Sequence, residues 1–98
     1  MLASRGMNGP YRVQSTPTFE RDFKKLDATV ARRVRKKIVD LAAHPERLGQ
    51  SLRNMPKDLS GLHKCRAGDF RILYWIDQSE RLLKLYAVQH RSTVYRDL

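Results

Sequence analysis

The stretch Arg66-Ala-Gly-Asp-Phe-Arg71-Ile-Leu-Tyr-Trp-Ile76 decides the fold, because it reads as a tight turn leading into a long apolar strand. The Ala-Gly-Asp segment predicts a hairpin turn, since glycine tolerates the positive φ that such turns often need. Alternate side chains of a strand point to opposite faces of its sheet. From Phe70 to Ile76 the even-numbered positions are all apolar, and we expect them to face the core. The odd-numbered positions then place Arg71 on the opposite, open face.

The strand before the turn shows its own division into two faces. Lys64 and Arg66 fall on one face, and His63 and Cys65 fall on the other. We expect Cys65 to point into the core, where an unpaired cysteine acts as a small apolar residue rather than as a nucleophile. The pattern therefore directs two cations to the face that holds Arg71.

A further strand is predicted at residues 82–89, after a turn at 77–80, and short connections favour antiparallel neighbours. If its apolar set of Leu83, Leu85 and Ala87 faces the core, alternation places Arg91 on the core side as well. Only a twist or turn at the strand end would bring Arg91 to the open face. The pattern alone leaves this point open.

The N-terminal half of the chain predicts one strand and two helices. A strand at residues 11–15 is followed by Thr16-Pro17, which combines a hydroxyl N-cap with proline at the first helical position. Asp27 is placed to cap a second helix, which we expect to end at about Ala43. The helix ends there because the residue before a proline, here in His44-Pro45, is pushed out of the α region.

The element order β-α-α-β-β-β predicts an α+β fold, with two N-terminal helices packed on one face of a curved, mainly antiparallel sheet. Residues 46–60 read as a loop, and residues 92–98 as a short C-terminal helix or turn. Residues 1–10 contain Gly and Pro without periodicity and predict a disordered extension, with Met7 as an alternative start. Residues 11–98 then form a single domain.

Composition limits the classes of function. The 98 residues include 20 Lys and Arg against 10 Asp and Glu, a net charge of +10. Such a charge attracts polyanions, and phosphate neutralisation dominates nucleic-acid affinity, but an anionic membrane or an acidic protein would be attracted equally well. A single cysteine fits a reducing compartment, and no apolar run approaches the roughly 20 residues of a membrane span. We expect a cytoplasmic protein without a metal or other cofactor, because no residues have metal-ligand spacing.

Three motifs carry a family resemblance: Leu52-Arg-Asn-Met-Pro56, Arg66-Ala-Gly-Asp-Phe-Arg71-Ile-Leu-Tyr74 and His90-Arg91-Ser-Thr-Val-Tyr95. On these residues, with weaker support from the helix pair and its Ala43-His-Pro45 ending, the chain resembles the RelE/ParE superfamily of small bacterial and archaeal toxins over residues 11–96. It is more similar to the RelE branch. The middle motif is shared by both branches, whereas the His-Arg-x-x-Val-Tyr ending is more specific to RelE-like ribonucleases.

The resemblance implies the toxin of a type II toxin-antitoxin system, which cleaves mRNA in the ribosomal A site without a metal. The ribose 2′-OH attacks the adjacent phosphorus and leaves a 2′,3′-cyclic phosphate. The catalytic residues carried over from the family are Lys64, Arg71, Arg91 and Tyr95. Nearby positions that we expect to contact RNA are Arg66, Lys84, His90 and Arg96. The implied partners are mRNA and rRNA on the ribosome and a RelB-like antitoxin, whose acidic, partly disordered segment folds on binding.

One departure from the family leaves the general base open. Some well-matched members carry a second lysine two residues before the Lys64 position, where this chain has Leu62. His63 and His90 are candidates because histidine titrates near neutrality, although each also has a structural interpretation. Tyr95 is a further candidate, and it could equally stack on a base.

Two other classes of function stay open. A ParE-like toxin would share the fold and the Arg71 motif but would inhibit DNA gyrase without cleaving RNA. A non-catalytic, basic RNA-binding module is permitted by the charge and by nothing else. The ribonuclease is favoured by one feature of the sequence, the spacing between Arg91 and Tyr95 in the C-terminal motif.

Overall fold

The computed structural model of the chain describes residues 10–45, 50–53 and 55–94. Its elements, in chain order, are β1 (Arg12–Ser15), α1 (Pro17–Lys24), α2 (Ala28–Ala43), β2 (Gln50–Ser51), a 3₁₀ helix (Lys57–Leu59), β3 (His63–Ala67), β4 (Phe70–Asp77) and β5 (Leu82–His90). The five strands form one sheet in the order β1-β5-β4-β3-β2. β1 runs parallel to β5, and the other three pairings are antiparallel.

Both helices begin where the sequence predicts. The Thr16 side chain accepts a hydrogen bond from the Phe19 amide at 3.1 Å, and Asp27 accepts one from the Val30 amide at 2.9 Å. Each bond satisfies one of the amides that a helix start leaves without a partner. In the described part of the chain, neither helix is long and apolar enough to cross a membrane.

The main core lies between the two helices and one face of the sheet, here called the helix face. Val34 and Leu41 of α2 meet Ile72 and Tyr74 of β4, and all four are almost fully buried. The predicted α+β architecture and the predicted core face of β4 are therefore confirmed. Cys65 is buried in the same core, as expected, and burial raises the pKa of its thiol. A raised pKa disfavours the thiolate that a nucleophile needs.

The predicted loop at residues 46–60 contains more structure than the sequence indicated. Within its described part, β2 pairs with β3, and the 3₁₀ helix brings Leu59 under the sheet. The opposite side of the sheet, here called the outer face, consequently carries a second buried cluster. Its buried members are Leu59, Leu62, Leu73, Ala87 and Val94. The outer face is therefore open only in part, and Arg71 lies half-buried on the same face.

The ends of the chain are only partly described. Residues 91–94 form a turn in which the amides of Thr93 and Val94 bond to the carbonyl of His90, at 2.9 Å and 3.0 Å. The short helix predicted at residues 92–98 is not confirmed, and its last four positions lie outside the described residues. The same holds for residues 1–9 of the predicted N-terminal extension.

Tyr74 gives a test of this core. Its hydroxyl is buried without a hydrogen-bond partner among the described residues, and burial raises the pKa of the group, with Cys65 as a smaller cause. An unsatisfied buried hydroxyl costs about 1–3 kcal/mol. We therefore expect Tyr74→Phe to increase the free energy of unfolding by about 1 kcal/mol in urea titrations at neutral pH.

The pH dependence of the same variant follows from the raised pKa. Because the folded-state pKa of Tyr74 exceeds the unfolded value of about 10, its contribution is fully present below that pH and is lost as pH rises through the folded pKa. The wild type should lose stability in strongly alkaline solution faster than Tyr74→Phe. A phenylalanine variant that is less stable at neutral pH would contradict this account of the hydroxyl.

Candidate nucleic-acid interface

A β-bulge in β5 determines which face its last residues occupy. Leu73 of β4 pairs with Ala87, but the next residue, Tyr74, pairs with Leu85, so that Tyr86 is an extra residue in β5. Tyr86 and Ala87 consequently both pack against the cluster on the outer face. A bulge of this kind resets the alternation of side chains along the strand.

The bulge answers the question that the sequence left open for Arg91. Beyond it, Val88 joins the helix-face core, and Gln89 lies directly opposite Arg71 on the outer face. The backbone amide of Arg91 donates to the Asp69 carbonyl at 2.7 Å and so extends the pairing of β4 with β5. Arg91 therefore follows Gln89 at the end of the sheet where Arg71 lies.

Four cations gather at this end of the outer face, here called the basic cluster: Lys64, Arg66, Arg71 and Arg91. Arg66 and Arg71 are direct cross-strand neighbours, and Lys64 shares their face two residues from Arg66. Like charges directly opposite each other destabilise a sheet. No hydrogen bond or ion pair within the described ranges engages the Arg66 side chain to offset that repulsion. A bound anion would remove this repulsion.

The guanidinium of Arg71 is held in place by its own hairpin. Its Nη1 donates to the carbonyls of Gly68 at 3.0 Å and Phe70 at 2.9 Å. Gly68 adopts φ +64°, which supports the predicted turn. Arginine has five N–H donors, so Nε and Nη2 keep three of them for another partner. That edge of the guanidinium is suited to bidentate binding of a phosphate.

Arg91 is held more loosely than Arg71. Its Nε lies 3.9 Å from the Asp69 carboxylate, and both side chains are about two-thirds exposed. An exposed pair at this distance contributes at most about 1 kcal/mol. An incoming phosphate can therefore compete for the Arg91 guanidinium at little cost. The sequence pattern had not singled out Asp69 as its partner.

The other predicted site residues do not all join the basic cluster. His90 packs edge-on against Phe70 at 5.3 Å between ring centroids, and its Nδ1 contacts the Ser92 hydroxyl at 2.8 Å. His63 stacks on Tyr74 at 5.6 Å. These contacts place both histidines on the helix face, away from Arg71.

Lys84 lies on the outer face, on the other side of the bulge from Gln89 and the Arg71 end of β4. It pairs with Trp75, which packs against Tyr86 at 5.3 Å and donates from Nε1 to the Ser60 carbonyl at 3.1 Å. Trp75 is thus a packing residue of the second cluster. Tyr95 and Arg96 lie outside the described residues. No group of three or more His, Cys, Asp or Glu within the described ranges is arranged to hold a metal ion.

Sequence comparison identifies relatives over most of the chain. Residues 13–95 match the family described as the ParE toxin of the type II toxin-antitoxin system parDE. The chain is 38% identical to the toxin RelE of Mycobacterium tuberculosis over 88 residues, which cover 89% of this chain and 88% of that protein. It is 36% identical to the toxin RelG of the same organism, covering 89% and 98% of the two chains.

Solved structures agree with these relatives. The toxin-antitoxin complex RelBE2 of M. tuberculosis contains a chain that matches with a TM-score of 0.75 at 34% identity, covering 85% of this chain and 93% of that one. The isolated RelE toxin of E. coli matches with a TM-score of 0.67 at 21% identity, covering 90% and 99%, and supports the fold alone. The chain therefore belongs to the RelE/ParE superfamily and is a toxin of the type II toxin-antitoxin class with a RelE-like fold.

Proposed function

We propose that this toxin is a ribosome-dependent endoribonuclease that cleaves mRNA in the A site, in the cytoplasm, without a metal ion of its own. The observation that carries the proposal is the basic cluster, in which Arg71 and Arg91 share one end of the outer face although simple alternation would separate them. The RelE and RelG relatives support the same branch of the superfamily. Guanidinium donors held in this way can stabilise a phosphate whose charge rises during the reaction.

The proposed reaction is an internal transesterification of RNA. The 2′-oxygen forms a bond to phosphorus while the bond from phosphorus to the 5′-oxygen breaks, giving a 2′,3′-cyclic phosphate and a 5′-OH end. One proton leaves the 2′-OH, and one proton is taken up by the departing 5′-oxygen. Both nonbridging oxygens gain charge in the transition state. The chemistry therefore needs cations at the phosphate, and a base and an acid on opposite sides of it.

Within the basic cluster, Arg71 is assigned the nonbridging oxygens because its Nε and Nη2 edge is oriented by the hairpin. Arg91 adds a second charge once it leaves Asp69, and Lys64 supplies a third. A guanidinium keeps its charge in proteins, so neither arginine is assigned as the acid or the base. Tyr95 is the candidate for the base that we retain, since His63 and His90 pack on the helix face.

RNA binding beyond the scissile phosphate is assigned to the cations predicted from the sequence. Arg66 is the strongest of these candidates, because it is exposed and lies directly opposite Arg71. Lys84 and His90 would contact RNA only on a path that leaves the basic cluster, and Arg96 is retained from the sequence alone. Loss of Arg66 should therefore weaken substrate binding more than loss of Lys84.

A cognate antitoxin is the second proposed partner. Structures of relatives from M. tuberculosis, Pyrococcus horikoshii and E. coli are complexes of a RelE-type toxin with RelB or a RelB-type antitoxin. The net charge of +10 on this chain suits an acidic partner segment. Such a segment would block the toxin by covering the basic cluster, and its folding on binding would be driven in part by charge neutralisation.

The test of the proposed function compares ribosome-bound and free RNA. The purified toxin should cut mRNA on programmed ribosomes, with fragment ends mapped by primer extension, and should cut the same RNA only weakly in solution. The reason is that positioning of a flexible strand for in-line attack is worth about 7–11 kcal/mol, and the ribosome has to supply it. Residual cleavage of free RNA should persist in EDTA. Efficient cleavage of free RNA, or a divalent ion requirement in that assay, would contradict the proposal.

Inhibition of DNA gyrase is the second candidate, because the matching family description is that of a ParE toxin. Such a toxin would leave mRNA intact while blocking supercoiling. A supercoiling assay with purified gyrase, run beside the ribosome assay, separates the two functions directly.

A further inference from the structure

The bulge in β5 lies at the point where the neighbour of β5 changes from β1 to the start of α1. β1 pairs with β5 from Leu82 to Leu85 and ends at Ser15. Beyond Ser15, Thr16, the N-cap of α1, bonds to the same edge of β5. Its amide donates to the Leu85 carbonyl at 3.0 Å, and its hydroxyl donates to the Tyr86 carbonyl at 2.8 Å. The Thr16 side chain therefore caps α1 and also donates a hydrogen bond to the carbonyl of the extra residue, Tyr86.

Asp22, a residue of α1 itself, completes the same arrangement. The Asp22 carboxylate accepts a hydrogen bond from the Val88 amide at 3.1 Å, in a partly buried position. That amide points away from β4, so Asp22 supplies the acceptor that a further strand would otherwise provide. A hydrogen bond to a charged acceptor is stronger than one between neutral groups. The backbone on both sides of Ala87 is therefore fixed by α1.

These bonds affect the basic cluster because they help to set the face of the sheet on which Arg91 lies. If β5 paired regularly with β4, Tyr86 would take the place of Ala87 opposite Leu73, and every later residue would move to the other face. Arg91 would then lie on the helix face, away from Arg71. The sequence permits this alternative pairing because its last strand is apolar from Leu82 to Val88, with Lys84 as the one exception.

We infer that Thr16 and Asp22 are positioning residues, which hold the β5 bulge and thereby keep Arg91 on the same face as Arg71. The inference concerns the geometry of the chain, and its cleavage readout rests on the proposed function. The start of α1 thus holds the backbone of β5 at the bulge, although neither Thr16 nor Asp22 belongs to the basic cluster.

The test compares Asp22→Ala with Asp22→Asn, which retains an oxygen that can accept from the Val88 amide. Asp40→Ala, which removes an exposed carboxylate from α2, is the matched control. On programmed ribosomes Asp22→Ala should lower the single-turnover rate about tenfold to a hundredfold with little change in KM, because misplacing a reacting group has effects of this size. Asp22→Asn should stay within about threefold of wild type, and the control should be unchanged.

A double-mutant cycle shows whether Asp22 acts through Arg91. In an Arg91→Ala background, Asp22→Ala should cause no further loss of cleavage rate. In an Arg66→Ala background, it should cause the same loss of rate as in the wild type. Interacting residues are non-additive, and independent ones are additive. Equal losses in both backgrounds, or an Asp22→Asn variant as slow as Asp22→Ala, would overturn the inference.

A second pair of variants covers the case in which Asp22→Ala does not fold. Thr16→Asp keeps an N-cap acceptor for α1 but cannot donate to the Tyr86 carbonyl, whereas Thr16→Ser keeps both roles. Of these two variants, only Thr16→Asp should lose cleavage activity.

Independently of any cleavage, NMR contacts between Arg71 and Gln89 should weaken in Thr16→Asp and Asp22→Ala. If the wild type shows these contacts but does not cleave RNA, only the proposed function fails. If the variants keep these contacts, the inference that Thr16 and Asp22 hold the β5 bulge is wrong.

Discussion

Replacing Arg71 with alanine should lower the single-turnover rate of mRNA cleavage on programmed ribosomes by at least about 100-fold, which is the loss seen when one oriented donor to a developing oxyanion is removed. Two hydrogen bonds to the hairpin carbonyls orient the guanidinium before any substrate arrives. The side chain lies half-buried on the outer face and is not part of either buried cluster. The variant should therefore fold and should still bind an antitoxin.

Two further variants make the result specific. Arg12→Ala removes an equal charge from the edge strand β1, where the Arg12 side chain contacts Glu80 through an exposed pair at 3.8 Å and a hydrogen bond to its carbonyl at 3.5 Å. It should leave the rate within about twofold of wild type, because exposed pairs contribute little. Arg71→Lys should restore only part of the activity, since an ammonium cannot bind two oxygens in the plane of a guanidinium. A folded Arg71→Ala variant with near-normal cleavage would remove Arg71 from the proposed site.

The fold followed from local signals in the sequence. The capping residues Thr16 and Asp27 fixed both helix starts, and the even-numbered residues from Phe70 to Ile76 fixed the helix face of β4. These signals are local, so they depend little on the rest of the chain. β2 was missed because two residues, Gln50 and Ser51, carry no periodic pattern of their own. Its pairing exists because β3 offers a free edge beside it.

The second buried cluster was missed for a related reason. Leu59 and Val94 are isolated apolar residues in stretches that otherwise read as loop and turn. They are buried because the chain before β3 and the chain after β5 both fold back against Leu73 and Ala87 on the outer face. Burial of this kind depends on tertiary contacts that no window of sequence displays. Its effect on the site is that the outer face presents the basic cluster beside a rigid surface.

The position of Arg91 could be predicted only in part. Strict alternation from Leu83 assigned it to the core side, whereas the structure puts Gln89 opposite Arg71 on the outer face and continues the pairing through the Arg91 amide and the Asp69 carbonyl. One signal was present in the sequence: Leu85, Tyr86, Ala87 and Val88 are consecutively apolar, which a half-exposed strand does not need. Such a run is compatible with a bulge, but its location depends on bonds from α1, 60 or more residues earlier in the chain.

The C-terminal tyrosine separates the two toxin functions most sharply. Tyr95→Phe keeps an aromatic ring for stacking but loses the hydroxyl for proton transfer. If Tyr95 is the general base, cleavage on programmed ribosomes should fall by about 100-fold or more, within the range that acid–base catalysis contributes. If the residue acts only as a stacking platform, the loss should stay below about tenfold. Truncation after Val94 should abolish cleavage in either case, because both the ring and the hydroxyl are then absent.

A toxin that acts on gyrase makes no such demand on one phenolic oxygen, so the same two variants should keep its effect on supercoiling. The truncation also removes Arg96, and Arg96→Gln in the full-length chain controls for that charge. Val94 is buried in the second cluster and is retained in the truncated chain, so antitoxin binding and the urea midpoint should both be preserved. If the truncated and Tyr95→Phe proteins both remain toxic in cells while mRNA stays intact, the ribonuclease proposal is wrong and inhibition of gyrase takes its place.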